Sequence, residues 1–181
     1  MIEDAATEAS RMAQTRHRKS PRKSKLAEQF EAEGFALEDT EYEVLAPRGE
    51  HFDLRRLLAR VDRAYFGANR PFTLPEVGWA PLDAHNAWAV YVLKDDRILI
   101  EKSLDTAETP AFVIEYLLMH EMLHLVHPPD DLEGEPEWHN EPFEASIARF
   151  ERGEEAERWL DRRLDAELRS KRRRAARGSD A

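Results

Sequence analysis

Residues 120–124 read His-Glu-Met-Leu-His and interrupt an apolar stretch that runs from Phe112 to Val126. Pro128-Pro129 stops any helix arriving from upstream. Thr109-Pro110 suits a helix start, because Thr can cap and Pro is favoured at the first helical position. Between these signals there is room for about four turns. On such a helix, residues four apart share a face, so His120 and His124 aim two imidazoles at one point. Glu121 lies about 60° around the helix from His124. Two histidines at this spacing chelate a tetrahedral cation, most often zinc. The glutamate between them sits where a general base for an activated water belongs. Burying three polar groups in an apolar helix is costly unless they find partners, and a metal is one such partner. The competing explanation is a pair of core histidines bonded to backbone carbonyls.

A catalytic zinc site has three protein ligands and one open position, so a third ligand is needed from elsewhere. The chain has no cysteine, which restricts the choice to His and carboxylates. His139 is the expected third ligand, because the stretch from Pro128 to Trp138 gives the chain room to return. Glu144, on a helix expected to start at Asn140-Glu141-Pro142, is the acidic alternative. His127 is the nearest histidine, but it stands at the helix end and overshoots the metal. The elongated protease pattern with Gly at 127 and His at 130 is excluded, since those positions hold His127 and Asp130.

These segments resemble the SprT-like zinc metallopeptidases. The matching residues are the helix VIEYLLMHEMLHLVHPP and the downstream WHNEPF, in which His139 is the later histidine and Phe143 the aromatic four residues beyond it. Upstream, VDRAYFGANRPFTLPEVGWA and DRILIEKSLD are similar to the strands and helix that lead into the family's active-site helix. The resemblance covers roughly residues 52–150. It implies a zincin-like α+β fold, with the active-site helix packed on a small antiparallel sheet and flanked by helices. It also implies Zn2+ held by His120, His124 and His139, Glu121 as catalytic acid and base, and a protein or peptide substrate. The cysteine-rich zinc ribbon that often follows in that family is not expected here, because these 181 residues hold no cysteine.

Charge is unevenly spread over the 181 residues, whose net charge is −10. Residues 11–25 hold seven cations and no acid, and residues 169–177 hold six and none. The stretch between, 26–168, has 14 Lys and Arg against 33 Asp and Glu. Basic ends of this kind often contact nucleic acid, although the acidic body repels phosphate and neither end interleaves aromatics for base stacking. The N-terminus lacks an apolar signal core, and charged or polar residues interrupt the longest apolar run, so no membrane segment is expected and a cytoplasmic location is.

Three segments are predicted: a partly disordered extension over 1–47, a metallopeptidase-like domain over 48–152, and a C-terminal helix with a basic tail over 153–181. Disorder is expected over 1–19, and a short helix from Ser20-Pro21 to Gly34. Leu54, Leu57, Leu58, Val61 and Tyr65 recur at helical spacing, which predicts a helix from Phe52 to Phe66. Val77-Gly78-Trp79 is a short strand. Ala87 to Leu93, with Trp88, Val90 and Val92 on one face, turns at Lys94-Asp95-Asp96 and returns over Arg97 to Ile100 as a hairpin. That hairpin offers an edge on which an extended peptide can pair. After an acidic stretch from Asp130 to Glu137, a helix over Glu141–Arg152 is expected to end at Gly153, followed by another over Glu154–Arg174. Tyr91, His127 and Asn140 are candidates to stabilise an oxyanion. Besides the peptidase, a non-catalytic zinc-stabilised binding module, tethered to nucleic acid by its basic ends, would fit this pattern, as would a structural interaction protein using the terminal helix.

Overall fold

A helix that is apolar nearly all round must be covered on every side. Residues 111–126 form one, and the fold is built around them. The computed structural model describes residues 41–68, 70–82, 87–128 and 137–178. The expectations for residues 1–40, and most of that for the acidic stretch, lie outside the described residues. The described architecture is mixed α and β, with four α-helices and one three-stranded sheet. No helix among the described residues is long and apolar enough to cross a membrane.

Helix α1 spans Leu54–Val61 and buries Leu54, Leu57, Leu58 and Val61 on one face, as the stripe predicts. Asp53 caps it by accepting from the Arg56 N–H. It widens into a π-helical turn over Asp62–Phe66 and stops at Gly67, where φ is 71°. Tyr65 there stacks on Phe150, with ring centroids 5.3 Å apart.

The strands are β1 (Glu76–Ala80), β2 (Ala89–Val92) and β3 (Arg97–Glu101). β2 and β3 form the expected antiparallel hairpin, turning at Leu93–Asp95 with Asp96 in the left-handed region. The sheet as a whole is not antiparallel, however. Its order is β1-β3-β2, and β1 runs parallel to β3. The reason is the apolar run Ile98-Leu99-Ile100, which is buried on both faces and so takes the central position. One face carries Val77, Trp79, Ala89, Ile98 and Ile100 into the main core. The other carries Ala80, Val90, Val92 and Leu99, which pack with Leu82 and Ala87. Trp88 precedes the strand and joins the main core, so it does not share the face of Val90 and Val92. Upstream, the Leu45 N–H donates to the Trp79 carbonyl at 2.7 Å. Gly78 permits this approach, since a methyl group there would lie 2.9 Å from Val44 and 3.0 Å from the Leu45 carbonyl.

Helix α2, Ala111–Val126, buries Val113, Ile114 and every residue from Tyr116 to Leu123. Its cap position is Pro110, whose missing N–H costs nothing there. Thr109 does not cap; its hydroxyl lies 3.1 Å from that of Thr106. Helix α3, Glu141–Ile147, is shorter than predicted. The chain turns over 148–152 so that Phe150 reaches Tyr65 and Tyr116 in the core. Gly153 therefore opens the next helix, α4 (Gly153–Gly178), and does not close α3. α4 buries Ala156 and Leu160 and leaves residues 169–173 exposed.

The loop before α1 is pinned by a buried carboxylate. Asp105, just past β3, accepts the backbone N–H groups of Glu50 (2.6 Å), His51 (3.0 Å) and Phe52 (3.1 Å) and pairs with Lys102 at 2.6 Å. Gly49 is required beside it, because a methyl group there would overlap the Asp105 carboxylate. Burial alone would raise the Asp105 pKa, but Lys102 and the three N–H donors outweigh burial and hold it down at about 2. A depressed carboxylate stabilises the fold above its unfolded pKa, and that stability is lost as pH falls through the folded value. Asp105 therefore contributes about 2 kcal/mol that disappears between about pH 4 and pH 2. Asp105→Ala is expected to cost about 3–5 kcal/mol at neutral pH, read as a lower urea midpoint, and to flatten the acid limb of the stability curve.

Candidate metal centre

The sequence places His120 and His124 one turn apart on α2, and the fold brings a third histidine to them. One ring nitrogen from each of His120, His124 and His139 lies within 4.8 Å of the others. The Nε2 atoms of His120 and His139 are 3.2 Å apart. A tetrahedral zinc with bonds of about 2.05 Å requires ligand nitrogens about 3.3 Å apart. At this separation two neutral imidazoles can share one proton, or two lone pairs can share one cation. The three ring centroids are separated by 5.0 Å (120 to 124), 4.9 Å (120 to 139) and 5.2 Å (124 to 139).

The donor set suits a metal. Burial lowers the pKa of His120 well below the ordinary histidine range, and the neighbouring His124 and His139 add to it. Burial and then His139 lower that of His124 to about 3. Neutral imidazoles with available lone pairs are what a divalent cation needs. The Nδ1 of His124 is buried and makes no hydrogen bond.

His127 illustrates the opposite case. Its Nε2 lies 2.8 Å from the Ser146 hydroxyl on α3, which is how a structural histidine is satisfied. It is not among the three converging residues, and neither is Glu144, which is exposed on α3. Of the three candidates for the third position, the fold brings His139 to the pair.

Glu121 is only 4% exposed. Burial pushes its pKa up to about 8, opposed by a hydrogen bond from the Tyr91 backbone N–H. β2 is an edge strand, and its register with β3 makes Val90 and Leu99 a hydrogen-bonded pair, in phase with the Glu101 N–H to Trp88 carbonyl bond at 2.9 Å. The Tyr91 N–H therefore faces the open side of the sheet, and Glu121 meets it there. Nothing in the local residue pattern points to this link between α2 and β2.

The three oxyanion candidates are all engaged elsewhere. The Tyr91 hydroxyl donates to Asp96 at 2.9 Å, with its pKa raised to about 12 by burial and by Asp96. His127 bonds Ser146. Asn140 caps α3 through Oδ1, accepting the Phe143 N–H at 3.1 Å, and its Nδ2 donates to the Pro128 carbonyl at 3.3 Å. Tyr116, one turn before His120, was not singled out from sequence. Its hydroxyl donates to Glu157 at 2.7 Å and ties α2 to α4.

Comparison with known proteins returned no matching family model, no matching curated protein and no matching solved structure.

Proposed function

We propose that this chain is a zinc-dependent metallopeptidase of SprT-like, zincin-like type, acting on proteins or peptides in the cytoplasm. The observation that carries the reading is the convergence of His120, His124 and His139 beside the buried Glu121. Bound zinc would supply Lewis acidity, polarising a carbonyl and lowering the pKa of water. Glu121 takes the proton of the attacking water and returns it to the leaving amine. The outer edge of β2, expected to pair with an extended peptide, is engaged at the Tyr91 N–H by Glu121, so the substrate is left to meet the site beyond that position. Tyr91 has its N–H held by Glu121, which orients the carboxylate from the strand side.

The test has two stages. Purified wild type is expected to hold one zinc per chain, and His124→Ala to hold almost none after dialysis. Wild type is then expected to cleave casein and to stop when a chelator is added. Wild type devoid of transition metal would end the proposal.

A second reading has an observation of its own. The Tyr91–Glu121 bond gives Glu121 a structural task, as expected in a non-catalytic, zinc-stabilised binding module. The exposed cations Arg169, Lys171, Arg172 and Arg173 at the far end of α4 give such a module a surface for nucleic acid. Full zinc occupancy with no cleavage, together with retention on DNA that falls steeply with salt, would favour it.

A further inference from the structure

The three imidazoles meet on a side chain that is not a ligand. Phe143 is 1% exposed, and its ring centroid lies 5.0 Å from His120, 4.8 Å from His124 and 4.7 Å from His139. It is nearly parallel to His124, at 26°, and edge-on to His120, at 74°. Its backbone is fixed by the Asn140 cap, and the amide of the same Asn140 reaches back to Pro128 at the end of α2. His139 is the residue immediately before that cap.

We propose that Asn140 and Phe143 act as positioning residues, which hold the three histidines in a chelating arrangement before any ion arrives. The inference rests on the reading of those histidines as metal ligands. Asn140 ties the end of α2 to the start of α3, which fixes where His139 enters. Phe143 then provides one apolar ring within 5.0 Å of all three imidazoles, stacked on His124 and edge-on or tilted to the other two. A phenyl ring has neither a polar N–H or O–H donor nor a lone pair, so it orients the imidazoles without competing for their nitrogens, unlike the hydroxyl that holds His127. A ligand ring already packed in place loses less freedom when the ion binds, which strengthens binding without adding a contact.

Cobalt(II), titrated into the full chain, provides the test, because its visible absorption reports coordination geometry as well as occupancy. Phe143→Met keeps apolar bulk and loses the flat face. It is expected to retain the wild-type far-ultraviolet dichroism, to bind cobalt about 10–100-fold more weakly, and to lose intensity in the four-coordinate bands. Asn140→Ser keeps a capping oxygen but is too short to reach the Pro128 carbonyl while it caps, and about a 10-fold weakening is expected. A folded Phe143→Met with wild-type affinity and spectrum would overturn the inference. Should that variant not fold, Asn140→Ser decides by the same two readings, and an unchanged affinity and spectrum overturns it. Wild type that takes up no cobalt would instead overturn the metal reading beneath it.

Discussion

Glu121→Gln is expected to leave the protein folded and metal-loaded while lowering peptide hydrolysis by about 10²–10⁴-fold. The substitution is nearly isosteric, and the amide oxygen can still accept the Tyr91 N–H, so the bond between α2 and β2 survives. What disappears is the proton acceptor. Burial raises the Glu121 pKa to about 8, whereas a dication held by the adjacent histidines favours the carboxylate and pulls it back down. A buried carboxylate under these opposing influences can both take a proton and give it back. Casein turnover and zinc content should be measured on the same preparation. Equal turnover in wild type and variant would remove Glu121 from the chemistry and leave it as a strand-to-helix tie. If zinc and turnover vanish together, the loss is structural and Glu121 has been misassigned.

The histidine-bearing helix α2 is legible because its signals are local. The apolar run, the histidine spacing and the Pro128-Pro129 stop all fall within one segment, and local periodicity needs no knowledge of the rest of the fold. The central place of β3 is also written in the sequence, as Ile98-Leu99-Ile100, although the turn at Lys94-Asp95-Asp96 by itself implies only the return arm of a hairpin. Three consecutive apolar residues mean burial on both faces, and that alone argues against an outer position. Gly153 misled for a different reason. A glycine after a helical stretch often closes it, yet here the need to bury Phe150 broke α3 early, and Gly153 was left to begin α4. The assignments of Tyr91, His127 and Asn140 as donors to a substrate did not foresee the hydrogen bonds already occupying them. Such commitments depend on Asp96, Ser146 and the ends of two helices, and spacing carries no trace of them.

His139→Ala is expected to produce the largest change in metal content, from one zinc per chain to almost none after dialysis. His120 and His124 would remain as a two-point chelate on α2, short of the three protein ligands that a site with one open position uses. The loss in affinity should exceed the 10–100-fold typical of changes to groups that only support ligands. A ligand that binds only the folded state stabilises it by about 4 kcal/mol when present at a thousand times its dissociation constant. Wild type should therefore melt higher with zinc than with chelator, and the variant should melt at one temperature in both. Two companions isolate the effect. His127→Ala gives up the bond to Ser146 and should cost about 1 kcal/mol while keeping its zinc. Glu144→Gln, on the exposed side of α3, should keep its zinc as well. Zinc retained by His139→Ala but lost by Glu144→Gln would move the third ligand from the loop to the helix. It would also mean that the 3.2 Å approach of the His120 and His139 nitrogens marks a hydrogen bond between two core histidines.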